Sequence, residues 1–233
     1  MNYIWEGLRE AGRLIFTLDP DVLDSAWRSV WISSAAVGLA MLLGIPLGLA
    51  LARKAFLGRR AVIVFSRAAM AVPTVFVGVV CYAIFNRSGP LGPLEILMTP
   101  WAIVVGELLL ALPIIISLTH NAVASLDVRV GETAWTLGAG RLRRCATYIS
   151  EARSGVALAT LTAFARCVTE LGVAMIVGGN LPGRTQTLAT AAAQENSKGE
   201  FARGLAMGIL LLCISLGVTC LIARLGRERP TSG

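Results

Sequence analysis

The sequence predicts an all-α, polytopic membrane protein with five transmembrane helices, and three observations carry that expectation. Of 233 residues, 55% are hydrophobic and 15% charged, against roughly 25% charge in soluble domains. Apolar runs long enough to cross about 30 Å of hydrocarbon, roughly 20 residues each, recur between polar breaks. Lys and Arg gather where those runs end. A formal charge of +7 invites a nucleic-acid reading, but no basic run is interleaved with aromatics, so membrane orientation explains the charge and no nucleic acid is expected as a partner.

The elements follow in order. Residues 2–17 place Ile4, Leu8, Ala11 and Ile15 at helical spacing with Glu6, Arg9, Glu10 and Arg13 on other faces. Segment 1–19 is therefore expected as an amphipathic helix on membrane lipids. Acids and bases interrupt it, and no apolar stretch precedes a small-residue cleavage site, so it does not read as a signal peptide. Asp19 and Pro20 form an N-cap followed by a first helical position. The first span runs to about residue 52, and four more are expected at 61–85, 101–126, 156–177 and 202–224. The transmembrane domain is thus 20–226, with a tail at 227–233.

Charge sets the expected orientation. The 53–60 connection holds Arg53, Lys54, Arg59 and Arg60 and no acid, which assigns it to the cytoplasm. Alternation brings 127–155 to the same side with Arg129, Arg141, Arg143, Arg144 and Arg153, and the tail adds Arg224, Arg227 and Arg229. The 86–100 loop has only Arg87, and 178–201 only Arg184 and Lys198. The N-terminus is expected outside and the C-terminus inside.

Enzyme chemistry finds little to draw on. The five cysteines have no CxxC spacing, and four lie in apolar runs, so they read as reduced packing residues. His120 is the single histidine and reads as a polar residue at a helix end. There is no Gly-x-Ser-x-Gly for a serine hydrolase, and Asp19, Asp21 and Asp24 precede the first span rather than clustering in the membrane. A phosphate-binding G-x-x-x-x-G-K-[ST] loop is also missing. No cofactor or metal site is expected in this chain.

The segment 127–155 is too polar to cross lipid and too apolar for a bare linker. Within it stands Glu132-Thr133-Ala134-Trp135-Thr136-Leu137-Gly138. Residues 129–137 fit a short helix with Val130, Ala134 and Leu137 on one side, and Gly138 supplies the left-handed position that ends it. This pattern resembles the E-A-A-x-x-x-G cytoplasmic loop of ABC importer permeases. Glu132, Ala134 and Gly138 match; Thr133 replaces an Ala, and Tyr148-Ile149-Ser150-Glu151 stands where the family continues I-x-L-P.

The resemblance extends along most of the chain and is nearest to tungstate-type permeases, with molybdate and sulfate permeases more distant. It is carried by Gly44-Ile45-Pro46-Leu47-Gly48, Ser88-Gly89-Pro90-Leu91-Gly92 and Leu112-Pro113-Ile114, and most specifically by Phe164-Ala165-Arg166, Glu170-Leu171-Gly172, Gly178-Gly179-Asn180 and Thr185-Gln186-Thr187-Leu188. It implies a type I importer permease that pairs with a second copy of itself, with two ABC ATPase subunits that hold ATP and Mg, and with an extracytoplasmic oxyanion-binding protein. It also implies that Glu132, Thr133, Ala134, Leu137 and Gly138 couple the permease to the ATPase.

One charge falls inside a predicted span. Arg166 lies near the middle of 156–177, where a charge costs at least about 2.5 kcal/mol, and Glu170 is one turn further on. Together with Thr169 and Gly172 they form the candidate translocation pathway. Two readings stand: Arg166 is a counter-charge for a passing dianion, or the Arg166–Glu170 pair is structural. Arg67, six residues into the second span, is expected to reach the headgroups.

Overall fold

A computed structural model of the chain describes residues 5, 8, 9, 12, 13, 16, 17 and 19–226. Most of the expected amphipathic segment and the whole tail 227–233 lie outside the described residues. Within that segment Trp5, Leu8, Arg9, Gly12, Arg13 and Phe16 are helical.

Helix α1 (Pro20–Arg53) starts as its sequence dictates: Asp19 Oδ1 accepts the N–H groups of Asp21 at 3.1 Å and Val22 at 3.4 Å. It packs along α4 (Pro100–Ala124), and these two helices form the middle of the bundle. The Gly44-x-x-x-Gly48 pattern sits on that contact. A Cβ on Gly48 would stand 2.9 Å from both the Ile116 carbonyl oxygen and Thr119 Cβ, so glycine sets how closely the two backbones approach. Ile32, Ala36 and Ala40 of α1 and Ile103, Ala111 and Ile115 of α4 are fully buried around it. Pro46 and Pro113 lie inside α1 and α4 without breaking them.

Among the described residues three helices are long and apolar enough to cross a membrane: α1, α4 and α10 (Phe201–Gly226). The other two expected spans are not single helices. Span two is α2 (Arg59–Ala69) and α3 (Thr74–Phe85), bent by 103°. Pro73 holds the break, because it offers no N–H to the preceding turn and disfavours helical backbone at Val72. Span four is α7 (Arg153–Val168) and α8 (Gly172–Gly178), bent by 58°. Counting each bent pair as one crossing gives five.

Between α4 and α7 stand α5 (Val128–Thr136) and α6 (Arg141–Glu151). The connection after α8, read from sequence as a loop, contains α9 (Leu188–Ser197), which Thr187 and Thr190 start with a reciprocal capping box. Helix α7 packs on α4, α3 pairs with α8, and α9 packs on α10.

The bundle has two distinguishable ends. At one, the basic end, Arg53 at the close of α1 donates to the Val123 carbonyl at the close of α4, 2.9 Å away. At the far end, Arg28 donates to the Gln186 carbonyl at 2.8 Å, and the Leu188 N–H donates to Ser29 Oγ at 2.8 Å.

One single-residue expectation needs correcting, and two others gain detail. Cys81 and Cys167 are buried, but Cys145 on α6 and Cys213 and Cys220 on α10 are exposed among the described residues. His120 lies near the end of α4, where it is buried with Nε2 unpartnered. Arg67 donates to Asn121 Oδ1 at 3.0 Å, which ties α2 to the end of α4.

Candidate functional site

The first candidate site is the α5–α6 hairpin at the basic end. Asp127 caps α5 by accepting the Arg129 N–H at 2.9 Å. Its other end closes as the sequence predicts. Gly138 has φ +74°, its N–H donates to the Trp135 carbonyl at 2.9 Å, and the Ala139 N–H donates to the Ala134 carbonyl at 2.9 Å. Those two bonds with a left-handed glycine make a Schellman terminator, which satisfies carbonyls that a frayed helix would leave open. A Cβ on Gly138 would meet nothing within 4 Å, so backbone conformation and not crowding selects glycine.

Of the five residues assigned to coupling, Glu132, Thr133, Leu137 and Gly138 are exposed and Ala134 is buried. Ala134 faces α6 across a groove of about 550 Å³ that Val130, Leu137, Arg143 and Thr147 also line. Trp135, Leu137 and Leu142 stay 68%, 80% and 87% exposed. Three large apolar side chains left uncovered beside the basic run Arg141–Arg144 form a surface suited to a protein partner.

The hairpin is fastened to the bundle through Tyr148 of α6. The Arg53 guanidinium lies over the Tyr148 ring, 4.4 Å from its centroid. The Tyr148 hydroxyl occupies the space that a Cβ on Gly131 of α5 would need. One side chain thus touches the end of α1 and the middle of α5.

The second candidate site is the α7–α8 joint. Arg166 Nη1 donates to Glu170 Oε2 at 2.7 Å, the pairing expected from their spacing. Glu170 Oε1 also accepts the Val173 N–H at 3.1 Å. The carboxylate therefore caps the restarted helix α8 as well as balancing Arg166, and both roles fix the bend. Exposure divides the pair: the Glu170 side chain is 2% accessible and Arg166 41%. Thr169 directs its hydroxyl to the Ala165 carbonyl at 3.0 Å, and Gly172 allows close approach of Thr74. Arg166 and Thr169 are exposed, and Arg166 is the cation of the set.

Sequence reading missed three buried charged groups among the described residues, Glu107, Arg28 and Glu195. Glu107 in α4 is 2% accessible, with Oε2 unpartnered, while its backbone carbonyl accepts the Cys167 thiol at 3.6 Å. The signal was present, since Glu107 is the only charged residue in the apolar run 101–126. Arg28 is 7% accessible and pairs with Asp24 as well as the Gln186 carbonyl. The motif Gly178-Gly179-Asn180 through Thr185-Gln186-Thr187-Leu188 builds the far-end knot. Thr185 Oγ1 donates to the Gly178 carbonyl at 2.6 Å, and Gln194 Oε1 accepts from Asn180 at 3.0 Å and Gln186 at 2.6 Å.

The chain is similar to known proteins along most of its length. The chain is 35% identical over 98% of its length to the tungstate uptake system permease protein TupB of Peptoclostridium acidaminophilum, all of which is covered. It is 28% identical over 88% of its length to the molybdenum transport system permease protein ModB of Escherichia coli K12, 97% of which is covered. In fold it is similar to a chain of the MetNI methionine ABC transporter in an inward-facing conformation, at a TM-score of 0.72 and 18% identity over 91% of this chain and 99% of that one. Residues 44–229 match the family described as binding-protein-dependent transport system inner membrane component, and the chain belongs to that family of multi-pass inner-membrane permeases.

Proposed function

We propose that the chain is the permease subunit of an ATP-driven importer that moves an oxyanion, tungstate first among them, into the cytoplasm. The observation that carries this reading is the full-length likeness to a tungstate uptake permease, in a chain that also presents an exposed, Schellman-ended helix bearing Glu132, Ala134 and Gly138. The basic end faces the cytoplasm, with the N-terminus outside and the C-terminus inside. Domain 20–226 is the permease body and 127–155 its coupling loop. Two copies enclose the pathway, and two ATPase subunits carry ATP and Mg, so this chain catalyses no reaction and holds no cofactor.

Transport follows from rigid coupling. Nucleotide-driven closure of the ATPases moves α5, and Tyr148 passes that displacement to Arg53 and α1, whose glycine-tight contact with α4 leaves no slack. The half-exposed Arg166 offers the passing dianion a counter-charge, while Glu170 holds the joint. Molybdate is the second reading, since the molybdenum permease is also similar along most of its length. The decisive measurement is uptake of tungstate and molybdate by cells lacking the permease, with and without the restored gene. Restored uptake of tungstate at nanomolar supply supports the reading; uptake of both anions unchanged by the gene sinks it.

A further inference from the structure

The far end of the bundle carries five basic side chains between residues 19 and 203, and they divide sharply. Arg28 pairs with Asp24, Lys198 with Glu195 at 2.7 Å, and Arg203 with Asp19 at 3.3 Å. Arg87 and Arg184 are exposed and make no side-chain hydrogen bond or ion pair with any described residue. They come from different connections, the one after α3 and the one after α8, yet both line a single hollow of about 570 Å³ with Asn86, Glu95, Met98 and Thr99. Glu95 is the one acid there, so the hollow is net positive.

The backbone around this hollow is held under strain. Three non-glycine residues among those described have positive φ: Glu95 at 48°, Met98 at 59° and Asn180 at 50°. Two of them line the hollow and the third adjoins Gly179, whose missing Cβ leaves the place that Met98 Sδ occupies. The Met98 N–H donates to the Val177 carbonyl at 2.9 Å, which ties the wall to α8. Left-handed backbone at non-glycine residues persists where surrounding structure enforces it, and it clusters at active sites, ligand clamps and switch regions. A lipid headgroup needs no such preformed concavity, and a small free anion gains little from two solvated guanidinium groups. A protein projection bearing carboxylates gains from both arginines and from the shape.

Resting on the importer reading, which puts this end outside, we propose that the Arg87–Arg184 hollow is the seat for a carboxylate-bearing projection of the extracytoplasmic binding protein. Arginine suits this role because its planar donors grip carboxylates in fixed geometry.

The test uses the complete permease–ATPase complex in phosphatidylcholine nanodiscs, with ATP hydrolysis measured against rising tungstate-loaded binding protein. The charge reversal Arg87→Glu with Arg184→Glu is expected to leave basal hydrolysis intact and to raise the half-stimulating concentration about tenfold or more, with a flatter salt dependence. Glu95→Gln, which removes the one acid, is expected to lower that concentration, so the proposal does not depend on the reversal folding well. Titrations of both variants that overlay the wild type overturn the proposal. So does a defect seen only in phosphatidylglycerol nanodiscs, which assigns the arginines to lipid phosphate, or arginine-dependent stimulation by tungstate alone, which assigns them to the free anion. A wild-type complex that the binding protein does not stimulate at all fails the importer reading itself, a result visible without any variant.

Discussion

The guanidinium of Arg53 lies 4.4 Å over the ring of Tyr148, joining the last turn of α1 to the middle of α6. Arg53 also donates to the Val123 carbonyl at 2.9 Å, so one side chain links the ends of two spans to the hairpin that carries the coupling residues. A cation over an aromatic face is worth about 0.5–2 kcal/mol according to its desolvation. The contact is therefore worth more as a mechanical link than as a source of stability.

That link predicts a loss of coupling with little loss of fold. Tyr148→Ala removes the stacking face and the hydroxyl beside Gly131, and is expected to leave the permease inserted and dimeric while transport per ATP hydrolysed falls several-fold. Gly131→Val drives a side chain into the Tyr148 hydroxyl and should produce the same defect; combining it with Tyr148→Ala relieves the clash but not the missing contact. The ratio of anion transported to phosphate released in proteoliposomes measures this. Unchanged ratios in both single variants remove the relay.

Gly138 makes a sharper case, because space and conformation separate there. With nothing within 4 Å of its notional Cβ, Gly138→Val meets only the cost of φ +74°, about 1–2 kcal/mol. Gly138→Asn, which tolerates left-handed backbone, is expected to co-purify with the ATPase near wild-type yield, and Gly138→Val to co-purify weakly. Equal yields would mean that the Schellman turn does not matter for docking.

Glu132 is exposed on α5, so Glu132→Arg reverses a charge at the docking surface without disturbing the core. Its expected effect is a several-fold loss of ATPase capture at low salt that narrows as salt rises. Capture at wild-type level would count against Glu132 as a docking contact.

The Arg166–Glu170 pair separates scaffold from passage. Arg166→Gln leaves the 2%-accessible carboxylate without its cation and is expected to lower assembly. Adding Glu170→Gln removes the stranded charge and retains an amide oxygen for the Val173 N–H, so assembly should return. Oxyanion uptake should stay low in the double variant if Arg166 meets the substrate. Yield of dimer and uptake, measured on the same preparations, separate the two; full recovery of uptake makes the pair purely structural.

Orientation has its own test. Reporter fusions after residues 57 and 140 are expected to signal cytoplasm, and fusions near 92 and 190 the outside. An outside signal at 140 would place the α5–α6 hairpin beyond reach of any ATPase.

Hydrophobic runs, a charge bias and one left-handed glycine were enough to foresee the membrane class, the start of α1 at Asp19–Pro20, the short helix ending at Gly138, and the Arg166–Glu170 contact. Each depends on residues within a few positions of one another, where local geometry leaves little choice. Tertiary structure decided the rest. The breaks at Pro73 and Glu170 turned two expected spans into bent pairs, because a proline or a capping carboxylate decides a bend only with the packing that accepts it. Tyr148 reached Arg53 across 95 positions, Arg28 reached Gln186, and Arg87 met Arg184 at one hollow through chain reversals that no periodicity encodes. Glu107 was visible as a lone acid in an apolar run, but only the packing of α4 shows that its side chain is enclosed by protein and not turned toward lipid or a water-filled path. Short-range preferences fix where helices begin and end, whereas the meeting of distant side chains depends on how whole helices pack, which is set by the sum of many weak contacts along the chain.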